Sequence, residues 1–359
     1  VWEDDAMTNR PITIFDLLAE AIQRKASDLH ITQNAPPVLR IDGELEVLDM
    51  PPLTATDTQQ MVYALLNDTQ KAVFEEKWEL DLSIDVHKVG RFRVNVHKQR
   101  GAVEAAFRVV HEEIRSLRQL GLPPITEEIA RRNSGLVLVT GPTGSGKTTT
   151  LAAMINQINN EQHRMIICVE DPIEYIHRNR KSIIKQREVT SDTKSFPDAL
   201  RHVLRQDPDV VVIGEMRDLE TISTALTAAE TGHLVLATLH TPDAVQTVDR
   251  IVDVFPPHQQ QQVRIQLAGT LQAVIAQQLV PIPGGRGRVV ACEILLATVG
   301  VRNVIRNAKT EQLYSLMQMS TELGMVTMDK SLKTLYEQGL ISFDEALRRC
   351  RFPEAFATL

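Results

Sequence analysis

The chain has 359 residues, 43% hydrophobic and 24% charged, and its 39 Lys and Arg against 46 Asp and Glu leave a net charge of −7. This composition excludes a disordered, collagen-like or disulfide-dense protein, and the acidic balance argues against a dedicated nucleic-acid binder, so no nucleic acid is expected as a partner. Three scattered cysteines, Cys168, Cys292 and Cys350, fit neither a disulfide framework nor a zinc ribbon and suit a reducing compartment.

In chain order, residues 1–6 are acidic and lack the basic flank and apolar run of a secretory signal, and Met7 is the expected start. The apolar spacing of Ile14, Leu17, Leu18, Ala21 and Ile22 predicts a helix over 11–25. Short strands are expected over 28–31, 38–41 and 44–48, the last two joined by an Asp42-Gly43 hairpin turn. A helix capped by Thr54 or Thr56 and a second over 70–77 follow, then three antiparallel strands over 80–86, 91–96 and 103–109. A charged stretch ending in Gly121-Leu-Pro-Pro124 marks a linker over 111–124, between domains at 7–110 and 125–359. Beyond it, strands over 136–139, 165–169, 210–213 and 234–238 are aliphatic without alternation, as in a parallel sheet buried on both faces. From Arg264 onward, helical patterns dominate. No apolar run is long enough to span a bilayer, so no direct membrane insertion is expected.

The run Gly141-Pro-Thr-Gly-Ser-Gly-Lys-Thr148, with Thr149 next, follows a strand and opens a helix, and matches the phosphate-binding P-loop in full. Gly141, Gly144 and Gly146 let the backbone of Thr143 and Ser145 wrap a phosphate, Lys147 reaches the outer phosphates, and Thr148 is placed to ligate Mg²⁺. ATP and Mg²⁺ are therefore the expected ligands. Glu215 ends the aliphatic strand 210–213 and is assigned to orient water, the alternative being a surface ion pair with Arg217. The acidic cluster Glu170-Asp-Pro-Ile-Glu174 offers Glu170 to the metal and Glu174 to the attacking water. His233 and His240 bracket another strand, and one or both are read as sensing the γ-phosphate or coupling the site to its neighbour, zinc ligation lacking further ligands nearby.

These four blocks, in this order, resemble the Walker A, Asp box, Walker B and His box of the secretion ATPase superfamily. The flanking Lys185-Gln-Arg-Glu-Val189 and Thr227-Ala-Ala-Glu-Thr-Gly-His233 look like the branch that powers type IV pilus retraction and twitching motility (PilT-like). The resemblance implies a mixed α/β chain: a PAS-like N-terminal domain, then a RecA-like P-loop ATPase domain with a helical C-terminal region. It implies a cytoplasmic homohexamer at the inner face of the inner membrane, partnered by a pilus platform protein and by a paralogous retraction ATPase. It also implies that N-terminal arginines reach the triphosphate; the matching positions are Arg93 and Arg108. A late signature of the branch is kept at Arg302, Asn303 and Arg306, while Asn307 replaces its final acid. An accessory (PilU-like) retraction ATPase stays open. An assembly or type II secretion ATPase is disfavoured by the lack of paired cysteines and of an added N-terminal domain. A nucleic-acid translocating motor is disfavoured by charge, and a nucleotide-binding ring without turnover by the presence of Glu215 and both arginines.

Overall fold

A computed structural model describes residues 12–41, 43–110, 113–284 and 287–357. The expected start at Met7, Asp42 of the hairpin turn and residues 111–112 of the expected linker lie outside the described residues. The chain divides into two compact units between residues 112 and 113.

In the first unit, α1 (Ile14–Gln23) begins at Thr13, whose hydroxyl accepts the Asp16 N–H while the Asp16 carboxylate accepts the Thr13 N–H. It is followed by β1 (Asp28–Ile31), β2 (Val38–Ile41), β3 (Glu44–Val47), α2 (Ala55–Tyr63) and α3 (Asp68–Lys77). Thr54 rather than Thr56 caps α2, because Asp57 stands three residues on and returns the hydrogen bond. The unit ends with β4 (Glu79–Val86), β5 (Gly90–Gln99) and β6 (Ala102–Val110). All six strands form one antiparallel sheet, ordered β3-β2-β1-β6-β5-β4. Leu17, Leu18 and Phe74 of the helices pack with Leu29, Phe92 and Phe107 of the strands. Strand alternation turns the neighbours Arg93 and Arg108 to the other, exposed side.

The second unit runs α4 (Ile125–Ala130), β7 (Gly135–Thr140), α5 (Lys147–Glu161), β8 (Met165–Glu170), β9 (Ile183–Glu188), α6 (Phe196–Val203) and β10 (Val210–Ile213). Next come α7 (Leu219–Glu230), β11 (Leu234–Leu239), α8 (Ala244–Asp253), α9 (Pro257–Thr270), β12 (Leu271–Pro281) and β13 (Arg288–Leu296). It closes with α10 (Val299–Arg306), α11 (Leu313–Met319), α12 (Met328–Glu337), α13 (Phe343–Arg349) and α14 (Pro353–Ala357). The seven-stranded sheet is ordered β13-β12-β7-β11-β10-β8-β9 and is parallel except for the β12–β13 pair. Successive residues of β7 feed opposite cores: Leu136 and Leu138 one, Val137 and Val139 the other. Burial on both faces is the reason these strands show no polar alternation. Leu117 and Leu122, from the stretch expected as linker, are buried in the second of those cores.

The region from Arg264 departs from the helical expectation. Helix α9 ends at Thr270 and β12 begins at the next residue, with no connecting loop and with Gly269 already inside the helix's last turn. The Ala, Gln and Leu content of β12 favours a helix locally, and pairing with β7 on one side and β13 on the other overrides it. The helical region proper begins at Val299. Strand β9 also escapes sequence reading, because its Lys185, Gln186 and Arg187 suit a sheet edge and dilute the apolar signal.

Because Leu138 is fully buried between β7's neighbours and the helices, Leu138→Ala should cost about 2–5 kcal/mol, read as a lower midpoint of chemical denaturation.

Candidate active site

The parallel register sets four strand ends side by side. Thr140 lies opposite Leu239, Ile213 opposite Ala237 on one flank and Val169 on the other. The segments that follow β7, β11, β10 and β8 therefore emerge along one edge, where open α/β sheets bind ligands. Those segments carry the P-loop, His240, Glu215 and the Glu170–Glu174 cluster.

The loop after β7 turns within a tight space. Gly141 has φ 140°, and a Cβ there would lie 2.2 Å from the Gln277 carbonyl oxygen and 2.6 Å from Ser145 Oγ. Gly146, at φ 88°, caps α5 in the left-handed region, so its N–H and those of the first turn line the loop. Ser145 Oγ is buried with no hydrogen-bond partner among the described residues. A cradle that only glycine allows, an unpaired hydroxyl within it and a helix N-terminus behind it fit the phosphates of a nucleotide. Thr148 is the second residue of α5, half-buried in that first turn, and Thr149 Oγ1 lies 2.9 Å from Tyr175 Oη.

Lys147 Nζ donates to the carbonyls of Gly141 at 2.9 Å and Pro142 at 3.1 Å, and to His240 Nδ1 at 3.5 Å. Burial lowers its pKa, while the charges of Glu215 and Glu174 work the other way. His240 Nε2 lies 3.1 Å from Glu215 Oε1. An Nδ1 that accepts from Lys147 puts the imidazole proton on Nε2, where Glu215 accepts it. His240 Nδ1 is also 3.4 Å from Thr143 Oγ1. The ion pair of Glu215 with Arg217 is present as well, at 2.6 Å. Burial alone would raise the Glu215 pKa, but the Arg217 hydrogen bond, followed by the contact with His240 and the Arg217 charge, holds it below the ordinary value. The carboxylate is thus kept ionised, as a water-orienting group requires.

Glu170 ends β8, buried, and accepts from Gln186 Nε2 at 2.9 Å. Glu174 is exposed, and its charge acts on Lys147. The structure brings His240 to this edge and not His233. His233 precedes β11, and its Nδ1 is 2.9 Å from the Ala228 carbonyl and 3.1 Å from Thr231 Oγ1. A six-residue strand of roughly 20 Å separates the two histidines. That span leaves His240 at the phosphate edge and His233 at the far end of β11, too far apart to share one metal ion. Arg93 and Arg108 stand directly opposite each other on β5 and β6, and Arg108 Nε donates to Asp28 Oδ1 at 2.9 Å.

Three residues take positioning roles that the sequence did not assign, two of them (Gln186 and Glu188) inside the Lys185–Val189 signature. Gln186 donates to the Tyr175 carbonyl and accepts the His177 N–H, and Glu188 accepts the Ile173 N–H, so together they shape the acidic loop. Gln277 on β12, 1% exposed, donates from Nε2 to the Ser145 carbonyl at 2.7 Å and accepts from Thr150 Oγ1 at 2.9 Å. A glutamine beside another glutamine in an apolar segment was the available signal. Gln277→Leu should leave the Ser145 carbonyl and the Thr150 hydroxyl unpaired and lower kcat/KM for ATP about tenfold or more, measured by steady-state phosphate release.

Residues 3–284 match the profile of the family described as "Type II/IV secretion system protein". The chain is 47% identical over 343 residues to the type IV pilus retraction ATPase PilT of Pseudomonas aeruginosa, covering 96% of this chain and 99% of that protein. It is 43% identical over 331 residues to the type IV pilus ATPase PilU of the same organism, covering 92% and 87%. A crystal structure of the pilus retraction motor PilT with bound ADP superposes with a TM-score of 0.92 at 50% identity, covering 97% of this chain and 100% of that one. The chain belongs to the type II/IV secretion system protein family, as one of its RecA-like P-loop ATPases.

Proposed function

We propose that this chain is the ATP-driven motor of type IV pilus retraction, working as a homohexamer at the cytoplasmic face of the inner membrane. The observation that carries this reading is the match to a retraction ATPase along 96% of the chain and 99% of the relative, with the Lys147–His240–Glu215 cluster intact. Among the described residues no helix is long and apolar enough to cross a membrane. The work would therefore be delivered through an inner-membrane platform protein, and a paralogous ATPase is a further candidate partner.

In this mechanism the glycine-shaped loop and the α5 N-terminus bind the phosphates of ATP. Lys147 exchanges its contacts with the Gly141 and Pro142 carbonyls and His240 for contacts with phosphate oxygens. That exchange releases His240, which then reports the γ-phosphate to Glu215. Glu215, held ionised, orients water for attack, and Glu174 stands at the mouth of the site as a second carboxylate. Thr148 and Glu170 are the residues that would hold Mg²⁺, which when bound neutralises phosphate charge. Arg93 and Arg108, matched by resemblance, would stabilise the charge of the transition state when they reach a triphosphate. An interface that repeats head to tail and closes after six copies suits a ring with its sites between subunits.

Glu215→Gln is expected to bind ATP with affinity near the wild type and to lose turnover by about 100-fold or more, read by nucleotide binding and phosphate release on the same preparation. Wild-type turnover would remove Glu215 from its role. Deletion of the gene in its source organism should give non-retracting, over-piliated cells, whereas bald cells would point to an assembly ATPase.

A further inference from the structure

Glu293 on β13 is a carboxyl that the chemistry above leaves unused, and it is 1% exposed. Its Oε1 accepts the N–H of Ala244 at 2.8 Å, and the carboxyl also receives the N–H of Met328. Ala244 is the first residue of α8 and Met328 the first of α12. First-turn N–H groups have no partner inside their own helix and carry the positive end of its dipole. One buried carboxylate therefore satisfies the starts of two helices.

The two helices have different attachments. Helix α12 is tied to β13 elsewhere: Cys292 N–H donates to Ser331 Oγ at 3.0 Å, and Ile294 and Val326 exchange backbone hydrogen bonds at 2.7 and 3.1 Å. Helix α8 follows His240 after residues 241–243 alone. Within that short segment, Thr241 Oγ1 lies 2.7 Å from Thr247 Oγ1, which in turn donates to the Asp243 carbonyl at 2.6 Å. Glu293 is thus where the β13–α12 block grips the segment that carries His240 into contact with Lys147 and Glu215.

We propose that Glu293 is a positioning residue for ATP hydrolysis, clamping the start of α8 to the β13–α12 block and so holding His240 against Glu215 and Lys147. The inference rests on the reading of His240 as part of the site. Burial pushes the Glu293 carboxyl up to about 7, the nearby Asp243 adding to the rise and the Ala244 and Met328 N–H groups and Arg351 opposing it. Cys292 and Tyr314 also feel its charge. The neutral form is therefore accessible to the fold, and glutamine keeps its shape while replacing one accepting oxygen with an NH2 group that cannot receive a helix N–H.

The test is a double-mutant cycle on the purified full-length protein, with kcat and KM for ATP measured by phosphate release. Glu293→Gln should lower kcat about tenfold while KM stays within about twofold, since the loss falls on placement of a reacting-site group rather than on phosphate binding. In a His240→Ala background, Glu293→Gln should add less than about a twofold further loss, because coupled residues fail to add. A purely structural defect would carry over into that background in full. Wild-type kcat in Glu293→Gln, or an undiminished loss in the His240→Ala background, would overturn the inference. If His240→Ala is itself fully active, the assignment of His240 falls and this inference with it. If His240→Ala is impaired and Glu293→Gln is not, the inference alone falls. Should Glu293→Gln melt below the assay temperature, Ala244→Pro asks the same question. Proline is tolerated at a first helical position and removes only the donated N–H, and the same selective loss of kcat is expected.

Discussion

The second unit is organised around the absence of a side chain at Gly141. The β12 backbone passes so close that a Cβ there would meet the Gln277 carbonyl oxygen at 2.2 Å. With no room to spread sideways, the loop must rise over the sheet edge and re-enter as α5, which aims its first-turn N–H groups at a single point. Gln277, whose backbone enforces this closeness, also ties its side chain to the Ser145 carbonyl and the Thr150 hydroxyl. Strand β12 is thus both wall and fastening for the phosphate loop, which is a reason for a parallel sheet to carry an antiparallel hairpin on that side.

Charge is arranged with similar economy. Within hydrogen-bonding distance of one another lie an ammonium, an imidazole, a carboxylate and a guanidinium: Lys147, His240, Glu215 and Arg217. Each is held by a neighbour of opposite or neutral character, so the half-buried cluster tolerates Lys147 and Glu215 in ionised form. The arrangement is also exchangeable. Lys147 contacts carbonyls and a ring nitrogen, all weaker partners for an ammonium than a phosphate oxygen, and Arg217 is largely exposed and can leave Glu215 without burying a bare charge.

Much of this was readable from residues alone, for identifiable reasons. The P-loop, the aliphatic strands and the capped helices depend on local chemistry: glycine at left-handed positions, both-face burial, and Thr or Asn paired with a partner three residues on. What escaped depended on contacts distant in sequence. Strand β12 reads as helix until β7 and β13 flank it. Gln277 looks like any polar residue until Ser145 and Thr150, 132 and 127 positions away, use both ends of its amide. His233 and His240 look equivalent in the sequence, and only the strand between them shows that they belong to opposite edges. Glu293 was invisible because nothing near it in sequence hints at two helix starts converging on it.

The row of charge across the first unit's sheet has a thermodynamic consequence. In register run Arg40, Asp28, Arg108 and Arg93, three guanidinium groups to one carboxylate, with Arg93 and Arg108 directly opposed. Like charges in direct cross-strand register oppose the folding of the sheet that holds them. Any polyanion brought to this face removes that repulsion, so part of its binding free energy is relief of strain already present in the resting domain.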